Sequence, residues 1–296
     1  MLLASFIWGA AFVAQSVGME KIGPLTFSAV RILIGAATIA CVMLVKDGIE
    51  RKKRPTNARP FFTKRELIFG SMLGVVLCVA CNFQQYSLLY TAPGKTAFIT
   101  TMYIIFVPIA GIFFKNKVSP VVWGSVVLAL SGLYLLCVTP NETGLNLGDV
   151  LALVGSIFFT VQIMLIEKSG EEVDSVKLCF LQFLVCGILS AALMFIFETP
   201  KLVDIGSAIL PLLYAGALSG GVAYTLQIIG QKDVGPTLGS LVMSMESVFA
   251  VLTAWIFMGE AMNGREILGC VLMFAAIILS QISDWILGKW KKKKKR

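Results

Sequence analysis

The stretch Cys81–Pro108, CNFQQYSLLYTAPGKTAFITTMYIIFVP, is apolar enough to sit in a bilayer, yet it carries Asn82, Gln84, Gln85, Tyr86, Lys95, Thr96, Thr100, Thr101 and Tyr103. A donor or acceptor left unpaired in hydrocarbon costs on the order of several kcal/mol, so polar groups at this density need partners or a purpose. The stretch also has a weak copy. Adding 143 places Pro93 on Pro236, Gln84 on Gln227, Ala92 on Gly235 and Tyr103 on Glu246, in AYTLQIIGQKDVGPTLGSLVMSMESVF at 223–249. Two related, polar-studded pairs of apolar helices are the pattern of a transporter core built from two repeats.

Composition agrees with that reading. Hydrophobic residues make up 57% of the 296-residue chain and charged residues 14%, with mean hydropathy +0.85, a balance that points to an integral membrane protein. The apolar runs are long and continuous, which fits helices and excludes the short alternating strands of a membrane β-barrel. Histidine is absent. Most zinc sites, Ser-His-Asp triads and histidine proton relays fall with it. Seven cysteines, an odd number, lie mostly within apolar runs, so a disulfide framework is not expected, and the mid-helix Cys78-x-x-Cys81 reads as a pair of buried thiols.

Ten apolar segments follow one another: roughly 2–18, 24–45, 66–89, 93–114, 118–138, 148–167, 174–197, 206–231, 236–258 and 265–288. Each is near or above the roughly 20 residues that cross about 30 Å of hydrocarbon as a helix. The first has no basic n-region, which disfavours a signal peptide. Alternate connections divide the basic residues unequally. With a cytoplasmic N-terminus, 20 of the 25 Lys and Arg fall on the inside, and only Lys21, Lys201 and Arg265 fall outside; Arg31 and Lys95 lie within segments. This bias orients the chain with both termini cytoplasmic. Basic clusters at 46–66 and 289–296 then meet lipid, with anionic headgroups expected near Lys291–Arg296; no nucleic-acid partner is expected.

Five segments per half is an odd number, so the second half enters the membrane in the opposite sense. A shift of 151 relates the front parts, with Trp8 on Phe159, Glu20 on Glu171 and Arg31 on Gln182, and a shift of 145 brings Gly124 onto Gly269. The expected fold is therefore an all-α integral membrane protein of ten transmembrane helices in two inverted five-helix repeats, at 1–138 and 148–288, joined by an external linker at 139–147 and followed by a basic tail at 289–296.

The chain resembles the drug/metabolite transporter superfamily, specifically its EamA-like branch, over nearly all of residues 1–290. The resemblance is carried by FIWGAAFVAQ in the first segment, Arg31 in the second, TAPGKTAFITTMYIIFVPI in the fourth, and SLVMSMESVFAVLTAWIFMGEAM in the ninth. Gly259-Glu260 fits the family pattern; Ser247 stands where the family usually has a proline after the glutamate. The resemblance implies a central cavity lined mainly by helices 1, 3, 4, 6, 8 and 9, and export or exchange of amino acids, other small metabolites or drugs without ATP hydrolysis by the chain.

Helical spacing selects candidate substrate-binding residues. Thr96, Thr100 and Tyr103 share a face of segment 4, as do Tyr224, Gln227 and Gln231 of segment 8; segment 1 presents Trp8, Phe12 and Gln15, and segment 6 Phe159 and Gln162. Gln84 is the candidate in segment 3 through its match to Gln227, although Asn82, Gln85 and Tyr86 present a competing face. Tyr103 and Glu246 each lie ten residues beyond a proline, about 15 Å into the bilayer. The set is Trp8, Gln15, Gln84, Thr100, Tyr103, Gln162, Tyr224, Gln227 and Glu246. Glu246, a carboxylate deep in a span, is the candidate for proton coupling or for contact with a substrate ammonium; the alternative is a structural glutamate held by Lys95 or Arg31. Lys95 is expected to snorkel to the outer interface and Arg31 to brace two helices. Pro108 frees a backbone carbonyl and permits a bend.

These observations favour a secondary transporter of small molecules over an enzyme. No G-x-x-x-x-G-K-S/T loop is present, no metal or other cofactor is called for, and the catalytic groups of an intramembrane hydrolase are missing. A non-transporting scaffold or receptor is the rival, and it would tolerate apolar substitution of the polar faces.

Overall fold

The computed structural model describes residues 1–53, 61–91, 93–113, 119–137, 146–258 and 263–294. Most of the linker expected at 139–147, the Gly259-Glu260 pair and the side chains of the basic tail lie outside the described residues. The first half runs through α1 (Leu2–Met19), α2 (Pro24–Lys53), α3 (Lys64–Ser87), α4 (Pro93–Thr100), α5 (Tyr103–Phe113) and α6 (Pro120–Cys137). The second comprises α7 (Leu147–Ser169), α8 (Ser175–Phe197), α9 (Leu202–Ser207), α10 (Ile209–Leu213), a π-helical stretch Tyr214–Ala223, α11 (Tyr224–Val234), α12 (Pro236–Met243), α13 (Glu246–Met258) and α14 (Gly264–Lys294).

Eight helical spans among the described residues are long and apolar enough to cross a membrane, with Pro120–Leu135 as a shorter apolar helix. The tenth expected segment lies in α14, which packs along α6. Their ends are built by local polar chemistry, because the first turn of a helix leaves N–H groups without intrahelical acceptors. Thr63 and Glu66 form a capping box at α3, and Asn146 and Asp149 form another at α7. Asp174 Oδ1 accepts the N–H groups of Val176 and Lys177 at α8. Gly170 and Gly235 end α7 and α11 at φ 82° and 79°, a region that side chains rarely enter.

The main helix contacts recur when the halves are exchanged. α3 lies against α7 as α1 lies against the π-helical stretch; α3 meets α8 as α2 meets that same stretch; α1 pairs with α13 as α4 and α5 pair with α7. α2 with α8, α5 with α12, and α6 with α14 are their own counterparts. This is the arrangement that a pseudo-two-fold axis between the halves requires.

Segments 4 and 9 are interrupted at equivalent places. α4 gives way to α5 at Thr101–Met102, and α12 gives way to α13 at Ser244–Met245, positions related by the shift of 143. Both crossings are single tight turns: Ile104 N–H donates to the Thr101 carbonyl at 3.0 Å and Ser247 N–H to the Ser244 carbonyl at 3.2 Å. Hydroxyls bend the chain there. Thr101 Oγ1 donates to the Ala97 carbonyl and Ser244 Oγ to the Leu241 carbonyl, and such back-bonding loosens the helical ladder. Pro108 sits seven residues beyond Thr101, within α5. The absence of a proline after Glu246 does not leave segment 9 continuous.

Candidate functional site

The interruptions put Tyr103 and Glu246 at the starts of α5 and α13, where they face each other. Tyr103 Oη donates to Glu246 Oε1 at 3.2 Å, and both residues are buried. A second contact joins residues 143 apart, Cys81 Sγ and Tyr224 Oη at 3.8 Å. Residues exchanged by a two-fold axis can touch only beside that axis, so these two contacts mark where it passes.

A cavity of about 530 Å³, counting the space at its mouth, surrounds the marked line. Its wall contains all nine residues selected from sequence: Trp8, Gln15, Gln84, Thr100, Tyr103, Gln162, Tyr224, Gln227 and Glu246. Much of the lining falls into repeat-related pairs. Trp8 and Phe159, Phe12 and Ile163, Ala11 and Gln162, Gln84 and Gln227, Thr100 and Met243, and Tyr103 and Glu246 all face it. Arg31 and Ser219 join them. Ala11, Ile163 and Met243 were open to discovery through the repeat shifts; Ser219 carried no sequence signal.

The walls are held by specific contacts. Trp8 Nε1 donates to the Ser219 carbonyl at 3.2 Å and Tyr214 Oη to the Ile7 carbonyl at 3.1 Å, tying α1 to the π-helical stretch. The widened π-helix turns are rich in glycine and alanine, which lets α1 and α2 approach. Trp8 and Phe183 pack edge-on against Tyr224, with ring centroids 4.9 and 5.1 Å away. Gln227 Nε2 donates to Gln162 Oε1 at 3.3 Å, and Gln162 Nε2 donates to Gln182 Oε1 at 3.2 Å. The acceptor oxygens of Gln15 and Gln227 remain without a hydrogen-bond partner among the described residues.

Several expectations need correction. Gln84 turns inward and donates to Thr100 Oγ1 at 3.4 Å, while Asn82 bonds Ser190 of α8 and Gln85 approaches Met19 of α1, which resolves the competing faces of α3. Thr96 stays out of the cavity wall beside Ser87, because the turn at Thr101–Met102 breaks the continuous face expected from Thr96 to Tyr103. Gln231 is also outside it, donating to the Ile163 carbonyl at 2.6 Å. Lys95 Nζ lies 2.8 Å from Asp149 Oδ2 in the first turn of α7, an ion pair between the halves. Glu246 is held by Tyr103, and no ion pair joins it to Lys95 or Arg31 among the described residues. Arg31 Nε and Nη2 have no hydrogen-bond partner among the described residues, while the Cys81 thiol of α3 lies beside the guanidinium. The described cysteines are free thiols, and no cluster of metal-ligating side chains occurs among the described residues.

The model of the EamA-like transporter family matches residues 1–138 and 146–281. The chain belongs to the EamA-like transporter family. This EamA protein is therefore a multi-pass membrane transporter in the drug/metabolite transporter superfamily. It is 27% identical over 285 residues to an uncharacterized transporter of Archaeoglobus fulgidus, covering 94% of this chain and 83% of that one. It is 30% identical over 184 residues to the threonine/homoserine exporter RhtA of Salmonella typhimurium, covering 60% of this chain and 59% of RhtA. A solved crystal structure shares the fold with TM-score 0.73 at 17% identity, over 94% of this chain and 98% of the other.

Proposed function

We propose that this EamA transporter exports amino acids or related small compounds across the cell membrane, by alternating access of halves 1–138 and 148–288. The observation that carries the reading is the polar cavity between the halves, with Tyr103 and Glu246 touching beside the pseudo-two-fold axis. A site on such an axis can be exposed by either half rocking against the other. The relative named as a threonine/homoserine exporter supports the amino-acid class. Both termini are cytoplasmic in this proposal. Lys46, Arg65 and Lys232 meet the loop before α8, and Lys177 pairs with Asp47 of α2, at one end of the bundle, consistent with the positive-inside rule. The basic tail ending at Arg296 then meets anionic lipid.

The substrate set is Trp8, Gln15, Gln84, Thr100, Tyr103, Gln162, Tyr224, Gln227 and Glu246, with Glu246 as the proton-coupling group. The test is counterflow in proteoliposomes loaded with a panel of amino acids, nucleosides and cationic drugs, for wild type and Glu246→Gln at two pH values. Amino-acid exchange by both, with loss of the response to a pH gradient in the variant, is the expected result. Exchange of drugs or nucleosides without amino acids overturns the substrate class, and undiminished pH-driven transport by Glu246→Gln removes its coupling role.

A further inference from the structure

Arg31 lies on α2, is only 5% exposed and faces the cavity. Its guanidinium keeps its charge in proteins, and burying such a charge unpaired is costly. The ion pairs among the described residues are Lys46–Asp174, Arg65–Glu172, Lys95–Asp149 and Lys177–Asp47, so Arg31 has no carboxylate beside it. Glu246 lines the same cavity but is engaged by Tyr103. The two orphaned atoms, Nε and Nη2, are neighbours on one edge of the guanidinium. Their N–H bonds run nearly parallel, the spacing that grips both oxygens of a planar carboxylate.

We propose that this edge of Arg31 seats the carboxylate of the transported solute. The inference rests on the transport reading for its biological sense, and it deepens the substrate class. Arg31 is the cationic side chain in the described cavity wall, which favours a monoanion over a phosphate dianion. The unpartnered acceptor oxygens of Gln15 and Gln227 complete the site. They are neutral amide dipoles and accept from an ammonium or a hydroxyl alike. The class taken is thus small monocarboxylates bearing an N–H or O–H donor, with hydroxy acids accepted beside amino acids.

The experiment is isothermal titration of the purified full chain in detergent with L-threonine, 3-hydroxybutyrate and L-threonine amide, for wild type, Arg31→Lys and Arg31→Gln. In the wild type the two acids bind within about tenfold of each other, and the amide binds about 30-fold more weakly or worse, the loss expected when one member of a buried charge pair is removed. Arg31→Gln weakens the acids by a similar factor and treats threonine and its amide alike; Arg31→Lys, a charge without the fork, falls between. Equal affinity for acid and amide in the wild type, binding of neither acid, or an unchanged acid-to-amide ratio in Arg31→Gln overturns the assignment. Should Arg31→Gln fail to fold, the wild-type ratio and Arg31→Lys decide. Parallel counterflow separates this inference from the reading beneath it: Arg31-dependent acid binding without flux sinks transport alone, whereas flux of uncharged solutes without acid binding sinks the carboxylate seat alone.

Discussion

Replacing Gly9 by alanine tests the close approach of α1 to α13 beside the cavity. A methyl group there would lie 2.6 Å from Phe249 Cβ and 2.7 Å from both the Ala250 nitrogen and the Glu246 carbonyl oxygen. Two of these three are backbone atoms, so no side-chain rotation clears the space. Ordinary contacts begin near about 3.5 Å, so α1 must withdraw from α13 by about 0.8 Å. Such overpacking costs about 1–3 kcal/mol, reduced by the roughly 0.5–1 kcal/mol that alanine gains over glycine inside a helix. The net expectation is a destabilisation of up to about 2.5 kcal/mol, centred near about 1 kcal/mol. Gly94→Ala is the control, because nothing lies within 4 Å of its new methyl group. Thermal unfolding of the two variants in detergent should place Gly9→Ala below wild type and Gly94→Ala at or above it. Counterflow should fall for Gly9→Ala in protein that is still folded, because the displaced carbonyl belongs to Glu246. Equal stability of the two variants, with flux intact, would refute the close packing of α1 on α13.

Tyr103→Phe removes the hydroxyl that donates to Glu246 and should cost about 1–3 kcal/mol of stability, read from denaturation; no loss would show that the buried contact is not formed. A double-mutant cycle on Lys95→Met and Asp149→Asn should give a coupling above about 1 kcal/mol, since the pair is largely buried, and simple additivity would refute it. The third expectation concerns Asp174 at the start of α8. Burial pushes its carboxyl up, but Lys46 and the N–H groups of Lys177 and Val176 outweigh burial and hold it below its usual 3.8. Its contribution is therefore complete above that value and disappears as pH falls through the lowered one. Unfolding followed against pH should show this acid loss in wild type and a smaller one in Lys46→Met.

The centre of the molecule was legible in the sequence because duplication leaves a register. The shift of 143 pairs Tyr103 with Glu246 and Gln84 with Gln227, while the choice between Gln84 and the face of Asn82 and Gln85 rests on packing that the sequence does not show. Partnership across the fold was not legible. Lys95 finds Asp149, 54 positions away, and nothing in the local pattern of either residue announces the other. The orphaned Nε and Nη2 atoms of Arg31 are likewise a property of the assembled bundle. The π-helical stretch also escaped, since YAGALSGGVA has the small-residue composition of any close-packed membrane helix and its widened turns arise from packing against α1 and α2.

The contact between Tyr103 and Glu246 bears on the ancestry of the fold. Two identical five-helix units paired about a true two-fold axis would bring the same side chain to both sides of it. Two glutamates at hydrogen-bonding distance there would have to share a proton, and two tyrosines would leave the central position without a carboxylate. A donor facing an acceptor requires the two sides to differ. Once the units were fused in a single chain, they were free to diverge there, and the pair now present makes the halves inequivalent at the point where they meet.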